Sequence, residues 1–134
     1  MKFRKIAILG TGLLGASFAF AAKSCGLCDR ISAWSRSEST REKCSRLPAI
    51  FDSVHSDPGE AAADADLTVI CAPTKNIPEL AAKIAPSLKE GSFVTDVGSV
   101  KGRICRLCSD SVGAFGARFV GSHPMAGSEK IGID

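Results

Sequence analysis

The sequence predicts a doubly wound α/β fold: a mostly parallel six-stranded sheet with helices on both faces. Three observations predict it. Short apolar runs alternate with helical stretches along the chain, and a glycine-rich turn joins the first run to the first helix. No linker, repeat or low-complexity segment divides the 134 residues, so residues 1–134 read as one domain.

Residues 5–9 (KIAIL) are a short apolar run closed by glycine, the pattern of a strand buried on both faces. Residues 16–27 (ASFAFAAKSCGL) read as the first helix, closing near Gly26. Residues 30–34 (RISAW) form the second strand, and 37–47 (SESTREKCSRL) a polar helix with Pro48 just beyond. A short third strand is expected at 49–53. Residues 66–72 (DLTVICA) are the clearest later strand, ended by Pro73. A helix over 76–88 precedes Gly91, a strand follows at 92–96, a helix at 100–109, and a last strand at 118–121.

Composition narrows the function classes. Hydrophobic residues make up 45% and charged residues 23%, so the chain is globular and able to bury a core. A net charge of +3 is spread without a basic block, and seven Phe, one Trp and no Tyr offer no base-stacking surface. Nucleic acid is therefore not an expected partner. The opening MKFRKIAILGTGLLGASFAFAA imitates a secretory signal, but glycines at 10, 12 and 15 interrupt its apolar stretch at a spacing with a better explanation. The stretch is also too broken to span a membrane. A cytoplasmic protein is expected.

Cysteines at 25, 28, 44, 71, 105 and 108 include two CxxC pairs. Paired zinc motifs usually stand about 15–20 residues apart, whereas residues 29–104 separate these two. Both pairs fall in stretches read as helix, and they are taken as small, partly buried apolar residues in a reducing compartment, with no metal.

The strongest chemical signal is Gly10-Thr11-Gly12-Leu13-Leu14-Gly15, which follows a strand and opens a helix. In that setting Gly10 permits a tight turn, Gly12 lets a pyrophosphate approach the backbone, and Gly15 lets helix and strand pack closely. The free N–H groups of the helix start then hold phosphate. This is the fingerprint of a Rossmann-type dinucleotide site. An NAD site usually places Asp or Glu about 20 residues further on. Here that place holds Ser35, followed by Arg36 and Ser37, and no carboxylate comes before Glu38. A cation flanked by hydroxyls suits a 2′-phosphate, so NADP is expected, with NAD the alternative.

Ligands of such sheets lie beyond the carboxyl ends of the strands. Cys71, Ala72, Pro73 and Thr74 fall there, as do Asp96, Gly98 and Ser99, and then His123 and Glu129. Ser99 also suits a helix cap. Lys101 reads as a surface lysine. His55, in FDSVHSDPGE, reads as a solvated loop residue.

GTGLLGAS, DVGSVK and SHPMAGSEKIG, in this order, resemble the prephenate/arogenate dehydrogenase family of tyrosine biosynthesis, and the resemblance covers essentially the whole chain. It implies oxidative decarboxylation of prephenate or arogenate, with hydride passing to NADP or NAD. It also implies that His123 is the catalytic base at the ring hydroxyl and Ser99 its partner beside substrate. Glu129 would stand at the pocket mouth, and Pro73 and Thr74 on the nicotinamide side. The WSRS stretch resembles NADP-preferring members. Family enzymes continue into a helical domain that dimerises and helps bind substrate. The resemblance therefore implies an isolated cofactor domain that binds nucleotide but turns over little substrate alone. Another Rossmann reductase, such as a β-hydroxyacid dehydrogenase, or a non-catalytic nucleotide-binding domain would share the glycines but would not be expected to carry SHPMAGSE.

Overall fold

The computed structural model describes residues 2–97 and 102–121. Its strands are β1 (Phe3–Leu9), β2 (Cys28–Trp34), β3 (Ser53–His55), β4 (Leu67–Ile70), β5 (Phe93–Asp96) and β6 (Arg118–Val120). Between them run α1 (Leu13–Ser24), α2 (Glu38–Ser45), α3 (Pro58–Ala62), α4 (Ile77–Ile84) and α5 (Gly102–Gly113). The strands form one sheet in the order β3-β2-β1-β4-β5-β6, and every neighbouring pair is parallel. Chain direction across the sheet reverses between β1 and β4, which makes their carboxyl ends the topological switch point.

The alternation within β1 explains both layers. Ile6 and Ile8 pack with Ala19, Ala22 and Cys44 beneath α1 and α2. Ala7 and Leu9 point the other way, into a core built with Ala61, Ile77, Leu80, Ala81, Ile84, Cys108 and Val112 of α3, α4 and α5. All four β1 residues are fully buried, so the strand had to be continuously apolar. Truncating Ile8 to Ala would cost about 2–5 kcal/mol.

Four expectations need correction. The third strand is not at 49–53. The N–H of Phe51 donates to Leu47 O at 2.9 Å and Phe51 drops into the core, so the chain is still turning away from α2 there. Pairing begins only at Ser53, opposite Ser32. His55 is consequently the last residue of β3 rather than a solvated loop residue; it is half-buried, with Nε2 3.0 Å from Ser53 Oγ. The first CxxC pair is not helical. Gly26, at φ +67°, ends α1 in the left-handed region and Cys28 already begins β2. Finally, the helix expected over 76–88 gives way after Ile84 to a 3-10 turn, Ala85–Ser87, because Pro86 cannot continue the backbone ladder.

One element escaped the sequence reading. In α3, Asp57 caps the helix by accepting from the Glu60 N–H at 3.0 Å, and Pro58 stands at its first turn. The stretch DPGE carries that signature of cap, proline and acidic residue.

Candidate dinucleotide site

The carboxyl ends of β1, β2 and β4 open onto a cavity of about 520 Å³, lined by Gly10, Trp34, Arg36, Pro58, Cys71, Ala72, Pro73, Asn76, Glu79, Leu80 and Lys83. Gly10 adopts φ +100°, and a side chain there would collide with the carbonyl oxygen of Cys71. A side chain on Gly15 would strike Gly10 O, so α1 can sit this close to the loop only with glycine at that position. A Cβ on Gly12 would meet nothing within 4 Å. The backbone at Gly12 is thus open to a ligand at the start of α1. That helix has no side-chain cap and no acidic residue in its first turn, leaving its N–H groups and positive dipole end available to an anion. Leu13 and Leu14 of the same motif are exposed and do not line the cavity.

At the end of β2, Ser35 is buried and accepts from the Thr11 N–H at 3.0 Å. The two hydroxyls, Thr11 Oγ1 and Ser35 Oγ, are also hydrogen-bonded. Ser37 Oγ accepts from the Thr40 N–H as the cap of α2 and contacts Ser39 Oγ at 2.8 Å. Both hydroxyls flanking Arg36 therefore have protein partners, a departure from the sequence expectation. Arg36 is left as the exposed cation lining this side of the cavity.

After β4, Cys71 N–H donates to Leu9 O at 2.7 Å, which holds the two strand ends together. Burial pushes the Cys71 thiol up to about 12, and the Asp96 carboxylate adds to the effect, so it is neutral and no nucleophile near pH 7. Ala72 and Pro73 line the cavity. Thr74 does not; it opens the 3-10 turn Thr74–Asn76, whose last residue does. Asp96 is fully buried and is not among the residues that line the cavity. Gly98, Ser99, Lys101, His123 and Glu129 lie outside the described residues.

Several contributors were not anticipated. Trp34 lines the cavity and donates from Nε1 to Ser56 O at 3.2 Å. Asn76, Glu79 and Lys83 also line it. The signal was present: Ile77, Leu80, Ala81 and Ile84 recur at helical spacing and bury one face of α4, which turns Glu79 and Lys83 outward. Arg41 Nη1 donates to the carbonyls of Ser35 and Arg36 at 2.7 and 3.2 Å, bracing the loop from α2.

A family model described as "Prephenate dehydrogenase, nucleotide-binding domain" matches residues 18–134. The chain belongs to this family. A cyclohexadienyl dehydrogenase of Zymomonas mobilis is 36% identical over 132 residues, which are 98% of this chain and 44% of that protein. A crystal structure of prephenate dehydrogenase from A. aeolicus, in complex with hydroxyphenyl propionate and NAD+, is 29% identical with a TM-score of 0.81; the match covers 97% of this chain and 44% of that one. The arogenate dehydrogenase of Synechocystis is 32% identical with a TM-score of 0.77, covering 90% and 40%. The chain thus spans less than half the length of these family members. Among the described residues no helix is long and apolar enough to cross a membrane, and no group of three or more His, Cys, Asp or Glu could hold a metal ion.

Proposed function

We propose that this chain is the NADP(H)-binding half of an enzyme that oxidatively decarboxylates prephenate or arogenate. One observation supports the cofactor choice: the loop after β2 presents Arg36 to the cavity, and no carboxylate precedes Glu38. A guanidinium favours a 2′-phosphate and can grip it with two hydrogen bonds, while a carboxylate there would favour the unmodified ribose. The open backbone at Gly12 and the unneutralised start of α1 fit the pyrophosphate. Family membership supports the reaction.

Bound there, the nicotinamide supplies the hydride acceptor. The chain's own residues then have distinct tasks. The neutral imidazole of His123 takes the proton of the substrate's ring hydroxyl as hydride leaves the same carbon, a role typically worth about 10²–10⁴ in rate. In the same reading Ser99 orients that hydroxyl, and Glu129 takes part in binding substrate. Loss of CO2 follows because it makes the ring aromatic. A further helical domain would complete the substrate pocket and form a homodimer, and a reducing cytoplasm suits the six free thiols.

The test uses an enzyme that carries this domain together with the rest of the family's length. His123→Asn should lower kcat by at least about 10²-fold and leave NADP affinity within about twofold. A mutant turning over at the wild-type rate would remove His123 from the chemistry. The 134-residue chain alone should bind nucleotide yet show little or no prephenate oxidation; robust turnover by the pure chain would refute the need for a second domain.

A further inference from the structure

The residues under the glycine loop form a connected set that the cofactor contacts above do not explain. Thr11, Ser35 and Cys44 come from three different elements, and each is at most 7% exposed. The Cys44 thiol of α2 donates to Thr11 Oγ1 at 3.2 Å. Thr11 Oγ1 is hydrogen-bonded to Ser35 Oγ, which also accepts from the Thr11 N–H at 3.0 Å. Three residues before Cys44, on the same side of α2, Arg41 holds the carbonyls of Ser35 and Arg36. Helix α2 therefore grips both loops of the site: the β1–α1 turn through Cys44, and the β2–α2 turn through Arg41.

Resting on the NADP reading above, we propose that Cys44, Thr11 and Ser35 form a positioning relay. The relay locks the pyrophosphate loop to the 2′-phosphate loop, with Cys44 as its terminal donor. Each hydroxyl oxygen can accept twice, so either can donate in the Thr11–Ser35 pair. In the arrangement with the thiol donating to Thr11 and Thr11 donating to Ser35, Ser35 Oγ accepts both the hydroxyl and the amide of Thr11. The Ser35 hydroxyl hydrogen is then not spent on the relay and suits an acceptor such as a phosphate oxygen. The relay thus sets the spacing between the two anion-binding loops, and Cys44 does so without touching the ligand.

Cys44→Ala removes the donor, and Cys44→Ser restores one at nearly the same place. Packing alone predicts the opposite order, because a buried serine is no better than alanine as an apolar filler. In the ligand-free chain, hydrogen exchange at the Thr11 amide should quicken in Cys44→Ala and return towards wild type in Cys44→Ser. In titrations, Cys44→Ala should weaken NADP by about threefold to tenfold, the range of one modest hydrogen bond, and Cys44→Ser should recover most of the loss. In a Thr11→Val background, Cys44→Ala should have no further effect on affinity. Unchanged Thr11 exchange and NADP affinity in Cys44→Ala, or a serine variant no better than alanine, overturns the relay. A wild-type chain that binds neither NADP nor NAD overturns the cofactor reading instead, and Thr11 exchange in the free protein then still decides whether the relay exists.

Discussion

The two sides of the cleft meet at one edge of the sheet but are built from different materials. On the β1–β2 side, Gly10, Thr11, Ser35 and, in the first turn of α1, Gly15 are fixed by backbone geometry, close approach and buried hydrogen bonds. On the β4–α4 side, Pro73, Glu79 and Lys83 are exposed, and the apolar face of α4 anchors the last two. The first side is shape, inseparable from the fold; the second is charge and surface laid over a finished core. A change on the first side should damage folding and binding together, whereas a change on the second should alter affinity alone.

The sharpest way to break that contrast is Gly15→Val. Its side chain would strike the Gly10 carbonyl, so the variant should lose at least about 3 kcal/mol of stability in urea unfolding and fail to bind nucleotide. A stable variant would mean that α1 can move off the loop. Arg36→Ala is the next largest effect and marks where the contrast reverses, because Arg36 is an exposed side chain on the rigid side. It should weaken NADP by about tenfold or more, leave NAD nearly unchanged and keep the unfolding midpoint.

The pH dependence of stability separates the cleft from the opposite end of the sheet. There the Lys89 ammonium and the Arg4 N–H, which donates at 2.8 Å, hold the Asp66 carboxyl below its ordinary range. A carboxyl depressed in the folded state stabilises at neutral pH, and that contribution disappears as pH falls through the carboxylate range. Wild-type urea midpoints should therefore drop on acidification more steeply than those of Asp66→Asn, with nucleotide affinity at neutral pH equal in both. The smallest effect belongs to Lys83→Ala, which should weaken an anionic nucleotide by only about twofold and leave stability unchanged, since an exposed lysine is screened by solvent. A tenfold loss would move the main anion contact to the α4 side.

The sequence made the rigid side legible and the other side only partly so. Gly10, Gly12 and Gly15 have few uses at that spacing between a strand and a helix, and the unbroken apolar run from Ile6 to Leu9 betrays a strand covered on both faces. The third strand was misplaced because three residues give too short a pattern. Its position depends instead on Phe51 reaching the core and on Asp52, whose carboxylate accepts the Ile31 N–H at 2.7 Å. Ser35 and Ser37 looked alike in sequence, yet one is locked beneath the loop and the other caps a helix. Hydroxyl partners across 24 residues of chain, as between Thr11 and Ser35, leave no periodic trace. Cys44 is buried, and its link to Thr11 requires the fold.

Side-by-side calorimetric titration of the chain with NADP and NAD tests the central claim most directly. Trp34, the single tryptophan, lines the cavity and gives an independent fluorescence readout of the same event. The account predicts that both nucleotides bind and that NADP binds about tenfold or more tightly, through Arg36. Equal or tighter binding of NAD would contradict the assignment at the end of β2, and binding of neither would contradict the site itself.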